Sequence, residues 1–401
     1  MDLNTIKEKF DSELSCLTEK PTVKDINILS TMLYNISNWG EITLMELIVT
    51  ENCNLNCHYC FIKGKREKKM SLDIAKTAIN FLLLYSGTAK DLNVTIFGGE
   101  PLLEIETVEN IIDYCNILEK ELPSKKISFS VTTNGTLITE EILTKINGRF
   151  LLLLSIDGNE EAHNLFRVDK KGEGSFGMVF SKISLLKRYQ GWVGARMTIH
   201  PETVSSLFKN VEFLYDNGVN QFILGTCYGP KWDERALRNY ERELLKVSIF
   251  YTQKSQNKNP IRITFFEKSE NKNDCLDGIW GCRAGRNSVA VDQKGDIYPC
   301  SKFIGLESFG CDEFRLGNIF DGITNFQLRE ELSTMTNNNF GQCTSCDEIS
   351  SCVGGCPAEN YNQNRSIYIP CKDQCEITKI QNRVLRDFWA EQERVKEGLT
   401  P

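Results

Sequence analysis

No uninterrupted apolar stretch in the 401 residues is long enough to span a bilayer, and no apolar signal segment opens the chain. A soluble, cytoplasmic protein with no membrane partner is the expectation. Basic residues are not in excess either. Lys and Arg number 47 against 54 Asp and Glu, for a net charge of -7, which disfavours the broad basic surface of a nucleic-acid binder. Internal repeats and low-complexity tracts are missing, and the charge runs at 65–69 and 391–397 read as solvated faces. What the chain has in plenty is cysteine, sixteen in all. In a small secreted domain that number would mean disulfides, but a long chain without a signal segment points to a reducing compartment, where clustered thiols serve metals. The length is a soft prior for two to three domains, and 41% hydrophobic residues suffice for a sizeable core.

The segment Cys53-Asn54-Leu55-Asn56-Cys57-His58-Tyr59-Cys60 spaces three thiols as CxxxCxxC. A short loop of this kind can wrap three corners of a four-iron cube, and no nearby fourth cysteine closes the set as it does in electron-transfer clusters. One iron would then stay open to a small molecule. A zinc knuckle is the plainer alternative, although zinc sites usually close with four ligands in paired spacing.

Ahead of this loop, Ile6, Phe10, Leu14 and Leu17, then Ile28, Met32 and Leu33, recur at helical spacing on either side of Pro21, which predicts two short helices within residues 1–40. From Ile42 the pattern alternates. Strands are predicted at 42–50, 92–97, 127–132, 150–156, 194–199 and 221–224, and helices at 71–86, 108–122, 139–146, 176–189 and 204–217. Such alternation argues an α/β fold with a parallel sheet and right-handed crossovers, and six units fit a partial (β/α)6 TIM-like barrel. Chemistry then belongs at the C-terminal ends of the strands. Residues 228–274, with a helix at 237–253, a polar break and a strand at 261–266, read as a bridge.

Those strand ends carry candidate binding residues. Gly98 and Gly99 permit close backbone approach, and Glu100 with the adjacent carbonyls can accept hydrogen bonds from an ammonium group. Thr133 and Ser155 close the next two strands, Asp157 follows, and Arg167 offers a planar fork for a carboxylate or, more blandly, a surface salt bridge. The cysteine loop followed one strand later by Gly98-Gly99-Glu100 resembles the radical S-adenosylmethionine (SAM) enzymes. That resemblance implies a SAM-chelating [4Fe-4S] cluster on Cys53, Cys57 and Cys60. It also implies SAM contacts from Tyr59, Gly98, Gly99, Glu100, Thr133, Ser155, Asp157 and Arg167.

The C-terminal third repeats the thiol theme. Cys282 is followed by twelve residues and Gly295, then four residues and Cys300; Cys343-x2-Cys346-x5-Cys352-x3-Cys356 comes later, with Cys371 and Cys375 last. This spacing resembles the SPASM extension of radical SAM peptide maturases. The resemblance implies two auxiliary [4Fe-4S] clusters, one on Cys275, Cys282, Cys300 and Cys356, the other on Cys343, Cys346, Cys352 and Cys375, with Cys371 as the alternative last ligand. Three clusters and SAM are thus the expected cofactors. Two zinc sites from the same eight thiolates are the bland alternative. Metal binding would supply folding energy that a small loop-rich core lacks. The expected domains are an N-terminal helical segment (1–40), a radical SAM partial barrel (41–227), the bridge (228–274), a loop-rich SPASM domain (275–381) and a C-terminal helix (382–401). Of the other cysteines, Cys16 and Cys115 read as buried small hydrophobes, Cys227 as a residue that could approach the cavity, and Cys311 as a loop residue.

By resemblance, SAM is cleaved reductively and the 5'-deoxyadenosyl radical takes hydrogen from a ribosomally made precursor peptide, which closes an intramolecular thioether or carbon-carbon crosslink. Partners so implied are that peptide, a flavodoxin- or ferredoxin-like electron donor and a separate leader-binding protein. The competing activity is formylglycine formation on a sulfatase. The family pattern for that reaction places an aspartate directly after the cysteine of the Gly-x4-Cys element, where this chain has Ser301; Asp292, Asp296 or Asp312 could substitute. Quinone-cofactor precursor chemistry and a metal-stapled, non-catalytic peptide-binding protein are the remaining readings.

Overall fold

The computed structural model describes residues 23–62, 67–146, 148–267, 282–304, 311–349, 352 and 354–396. The first predicted helix, Cys16 and Cys275 lie outside the described residues, as do the side chains of Cys311 and Asp312. Six strands alternate with helices: β1 (Leu44–Thr50), β2 (Asp91–Gly98), β3 (Lys126–Thr133), β4 (Phe150–Ser155), β5 (Gly194–Ile199) and β6 (Gln221–Thr226). Each pairs in parallel with the next. The strand order never reverses, as in a barrel wall and unlike a doubly wound sheet. A two-residue β7 (Arg262–Ile263) adds to β6, and on the other side β8 (Ser288–Val291) adds in parallel to β1. Antiparallel β9 (Asp296–Tyr298), β10 (Gly317–Asn318) and β11 (Gly322–Ile323) extend that side, so one sheet runs from β11 through β1 to β7.

The strands of a parallel sheet buried on both faces read as almost unbroken apolar runs. Here one face is polar. In β2, Leu92, Val94 and Ile96 are buried while Asn93, Thr95 and Phe97 are half-buried; in β5, Ala195 and Met197 are buried while Arg196 is exposed. The half-buried face is the concave lumen. There the hydroxyls of Thr95 and Ser130 stand 3.0 Å apart, and Asn93 donates to Ser128 at 3.3 Å. A lumen lined this way can admit water or a polar ligand from the strand ends inward.

Helix boundaries follow local chemistry. Ser71 caps helix Leu72–Tyr85 by accepting from the Ile74 N–H at 3.3 Å, which satisfies one of the orphan donors of the first turn. The single helix predicted at 176–189 is two, Phe176–Phe180 and Ile183–Gln190, because Ser181 turns its hydroxyl back to the Met178 carbonyl at 2.8 Å and Lys182 bonds to Val179 in a tighter turn. The predicted strand 261–266 stays extended only at β7. Phe266 then turns in to pack on Tyr251 and Phe388, with centroids at 5.4 and 5.0 Å, and the backbone winds into a short 3-10 turn. The last helix starts at Lys372, earlier than 382, and lies along helix Glu234–Lys254. Asp373 accepts from the Trp232 N–H at 2.8 Å and Gln381 donates to the Tyr240 hydroxyl at 2.9 Å, so this contact is polar as well as apolar.

Candidate functional site

The cysteine loop leaves the C-terminal end of β1 and is gripped on both sides. On one side the β2 turn comes so close that a Cβ on Gly98 would collide with the Thr50 carbonyl and one on Gly99 with the Asn52 carbonyl. Gly98 also has φ +144°, a region side chains avoid. The N–H groups of Gly99 and Glu100 donate to those same two carbonyls, each at 2.9 Å. The close approach anticipated for these glycines is therefore to the loop's own backbone. On the other side, Asn56 N–H donates to the Val168 carbonyl at 2.7 Å and His58 N–H to that of Phe166 at 2.9 Å.

Glu100 is fully buried and spends both carboxylate oxygens on the frame. It accepts from Leu102 N–H (3.0 Å), the Thr133 hydroxyl (2.7 Å) and Asn134 N–H (2.7 Å). Burial pushes its carboxyl pKa up, and these three bonds pull against the shift. Thr133 is likewise occupied, because its hydroxyl also accepts from Gly135 N–H at 3.0 Å. Ser155 ends β4 half-buried, in register with Arg196. Asn134 joins the loop to β3 by donating to Asn54 at 2.8 Å and lying 3.9 Å from Cys53 Sγ.

Asp157 and Arg167 form a buried pair. The guanidinium donates through Nε and Nη2 at 2.8 and 2.9 Å, while the Tyr59 hydroxyl donates to the same carboxylate and Thr198 N–H to its other oxygen at 2.8 Å. The fork expected to face a ligand carboxylate is thus closed on Asp157, and the pair is interior where the bland alternative had it on the surface. Burial opposes the charge of Asp157, but Arg167 outweighs it and holds the pKa below the usual range. Arg167 also lies 5.3 Å from the Tyr59 ring centroid and close enough to Cys57 to feel its charge. Behind the pair, His163 accepts from Asp157 N–H at 3.4 Å and contacts the Ser175 hydroxyl at 2.9 Å. Burial, reinforced by Arg167, drives its pKa down to about 3, so the ring is neutral.

Two groups of thiols form, one from residues on either side of β8 and one further along the chain. Cys300, whose pKa burial raises well above the ordinary thiol, is pushed further by Glu46, Cys356 and Cys282. Cys282 is raised to about 11, by burial and then by Cys356. In the second group, Cys343 is raised by burial, Cys352 and Cys346, and Cys375 is raised to about 11 by burial, Cys343 and Cys352. Cys371 is raised by burial and by Glu359 and Asp373, against the pull of backbone N–H groups. Each group gathers thiols close enough to act on one another's charge, which is the donor chemistry a metal cluster takes. Among the described residues no three His, Cys, Asp or Glu side chains converge on a point fit for a single ion; a cube asks for thiols at separate corners. Cys227 is buried, its pKa raised to about 12 by burial, and Cys115 is fully buried in the core.

Three side chains in this region escaped the sequence reading. Lys302 sits with its ammonium 3.3 Å from the Tyr228 ring centroid and 3.8 Å from Cys356 Sγ; burial opposes its charge, and Cys356, Tyr228 and Cys300 prevail. Glu46, on the lumen side of β1, accepts from Ser301 N–H at 2.6 Å. Arg196 faces the lumen from β5. An acid and a base lying within otherwise apolar strands were the available signals. Asp292 and Asp296, the suggested substitutes for the missing aspartate, serve the β8–β9 hairpin: Asp292 accepts from the N–H groups of Lys294 and Asp296, and Asp296 pairs with Arg315 at 3.1 Å.

Residues 47–214 match the Radical SAM superfamily. An uncharacterized protein of Methanocaldococcus jannaschii is 30% identical over 265 residues, which cover 66% of this chain and 86% of that protein. A cysteine-type anaerobic sulfatase-maturating enzyme of Clostridium novyi is 24% identical over 340 residues, 77% of this chain and 85% of the relative. Among solved structures, native anSMEcpe with bound AdoMet and Cp18Cys peptide superposes with a TM-score of 0.69 at 22% identity, over 88% of this chain and 99% of that one. Streptococcus suis SuiB bound to precursor peptide SuiA gives 0.62 at 15% identity, over 92% and 86%. The chain belongs to the radical SAM superfamily and is an enzyme. Membership implies a [4Fe-4S] cluster and SAM. Among the described residues no helix is long and apolar enough to cross a membrane.

Proposed function

We propose that the protein matures a ribosomally made precursor peptide by forming an intramolecular thioether or carbon-carbon crosslink. The observation that carries this reading is the position after Cys300. Ser301 stands there, buried, with its backbone N–H bonded to Glu46, so the aspartate expected of a formylglycine-forming enzyme is missing. SuiB, a precursor-peptide-bound structure of the same fold, supports a peptide as the substrate.

In this reading Cys53, Cys57 and Cys60 hold the SAM cluster. Cys282, Cys300 and Cys356 with Cys275 hold the first auxiliary cluster, and Cys343, Cys346, Cys352 and Cys375 the second. Cys375 is preferred over Cys371 because it feels Cys343 and Cys352, whereas the groups acting on Cys371 are two carboxylates and backbone N–H groups. When bound, SAM and its cluster supply a radical able to take hydrogen from carbon, and two capped clusters a sink for the electron released as the new bond closes. The chain's own part is placement. Tyr59, Asp157 and Arg167 brace the cysteine loop, Glu100 locks the β2 and β3 ends together, and the half-polar lumen holds the peptide away from bulk water.

Formylglycine formation is the second reading. The Clostridium novyi relative favours it, and Glu46 is a carboxylate within reach of the position where the aspartate is missing. A peptide encoded beside this gene, incubated with iron-loaded enzyme, SAM and dithionite, separates the two. Loss of two hydrogen atoms with no aldehyde reactive toward a hydrazide supports the crosslink. A hydrazide-reactive product on a sulfatase-derived peptide would replace it with the second reading.

A further inference from the structure

The two C-terminal thiol groups are supplied with cations very differently. Beside the first, the half-buried Lys302 donates to Cys356 Sγ at 3.8 Å and holds its ammonium 3.3 Å from the Tyr228 ring centroid. Its charge also reaches Cys300 and Cys282, so all three described thiols of that group feel it. The short helix Ser301–Ile304 fixes the placement. Ser301 is tied through its N–H to Glu46 at 2.6 Å, and Phe303 is fully buried against Phe314 with centroids 4.6 Å apart, which leaves the residue between them turned to Cys356. Two carboxylates oppose the ammonium: Glu46, which acts on Cys300, and Glu359, which accepts from Gln363 at 3.2 Å. Neither forms an ion pair with Lys302 among the described residues. At the second group Lys379 acts on Cys346 and Cys375, but its side chain is 40% exposed and its ammonium pairs with Glu376 at 2.8 Å. Glu348 adds a negative charge near Cys352, although Arg386 and Asn382 bind it. A sheltered charge shared with no carboxylate acts on its neighbours far more strongly than an exposed, paired one.

We propose that Lys302 makes the first auxiliary cluster the more readily reduced of the two, and thereby the acceptor of the electron released when the new bond closes. The inference rests on the ligand assignment given under the proposed function. Reduction adds one negative charge to a cube held by four thiolates, and a cation at hydrogen-bond distance from one of the sulfurs favours the more negative state. Tyr228 joins this arrangement to the lumen. It lies close enough to Arg196 on β5 to act on its charge, and it carries the ammonium on its ring. A hydrogen atom leaves the substrate carbon for the 5'-deoxyadenosyl radical; that carbon then bonds to a peptide sulfur or a second carbon, whose proton goes to water. One electron is left over, and it enters the cluster beside Lys302.

A redox titration of the anaerobically iron-loaded full chain, followed by electron paramagnetic resonance, reads this directly. The cluster on the first cysteine loop is marked by its change when SAM is added, which leaves two SAM-insensitive waves. Lys302→Met should lower the higher of these by about tenfold in the reduction equilibrium, about 59 mV for one electron, and leave the lower one in place. Lys302→Arg, which keeps the charge, should recover most of the shift. Lys379→Met should move the lower wave by no more than about threefold. Lys302→Gln removes the charge while keeping a polar side chain, and it decides the matter should the methionine variant lose iron. Waves that stay in place in both uncharged variants, with about twelve iron atoms bound per chain, overturn the proposal, and so does a shift of the lower wave alone. About four iron atoms per chain and no SAM-insensitive wave would strike the ligand assignment, and the proposal with it.

Discussion

The three thiols near the N-terminus and the groups near the C-terminus are held by opposite strategies. Cys53, Cys57 and Cys60 occupy one short loop, and the chain spends a pair of glycines, a buried carboxylate and a buried ion pair on fixing that loop from both flanks. The later thiols come from segments far apart in sequence, between Cys282 and Cys375, and the turns that carry them are short. On the proposed ligand assignment, the first site is built by the protein before it is loaded, and the second would act more like a staple, in which loading is part of folding.

Removing Cys57 attacks the built site alone. Cys57→Ala should drop 5'-deoxyadenosine formation under dithionite to background while keeping about eight of the twelve iron atoms expected for three four-iron clusters. Full SAM cleavage by this variant would end the comparison at its root. Chelating the iron should do the reverse to structure. Limited proteolysis of the stripped protein is expected to cut the segments around Cys343–Cys356 within minutes and to spare the parallel strands; equal protection in both forms would show that the C-terminal turns need no staple.

Two substitutions probe how tightly the built site is braced. Asp157→Asn leaves the Arg167 guanidinium buried without its counter-charge, which should cost about 3–5 kcal/mol in denaturant unfolding, and Asp157→Asn with Arg167→Gln should restore part of it. Gly99→Ala forces a Cβ into the Asn52 carbonyl and should cost about 1–3 kcal/mol, with weaker SAM binding than wild type. A smaller effect belongs to pH. His163 has a folded pKa of about 3 against an ordinary value near 6.5, so the unfolded chain takes up a proton first as pH falls. Its contribution is intact above pH ~6.5 and is lost toward pH ~3, at up to about 1.4 kcal/mol per pH unit. Wild type should therefore lose more stability between pH 6.5 and 5 than His163→Gln does, and parallel curves would refute the neutral-histidine brace.

Much of this was legible before the fold. Strand β5 runs from Gly194 to Ile199 as expected, and the other barrel strands start and end within two residues of the pattern. Gly98, Gly99 and Glu100 stood out because they close the strand that follows the cysteine loop, as in the resembled family, but the sequence could not say that the glycines face the loop's own carbonyls. That requires the β1–β2 register. Arg196 and Glu46 were hidden for a related reason. A lone charged residue in a strand looks like ordinary alternation until topology says which face is the lumen. The break at Ser181 and the turn at Thr264 depended on one hydroxyl and one buried phenylalanine ring, which periodicity averages away.

The pairing of β8 with β1, from Leu44 opposite Ser288 to Leu47 opposite Val291, has a kinetic meaning. The strand that feeds Cys53 and the hairpin that leads to Cys300 share one ladder of amide bonds, so on the proposed ligand assignment the sheet itself fixes the spacing between the two clusters. Tunnelling falls off steeply with separation, and here that separation is set by covalent spacing and sheet geometry. Electron passage between the two regions should accordingly be uniform from molecule to molecule and indifferent to whether substrate is aboard.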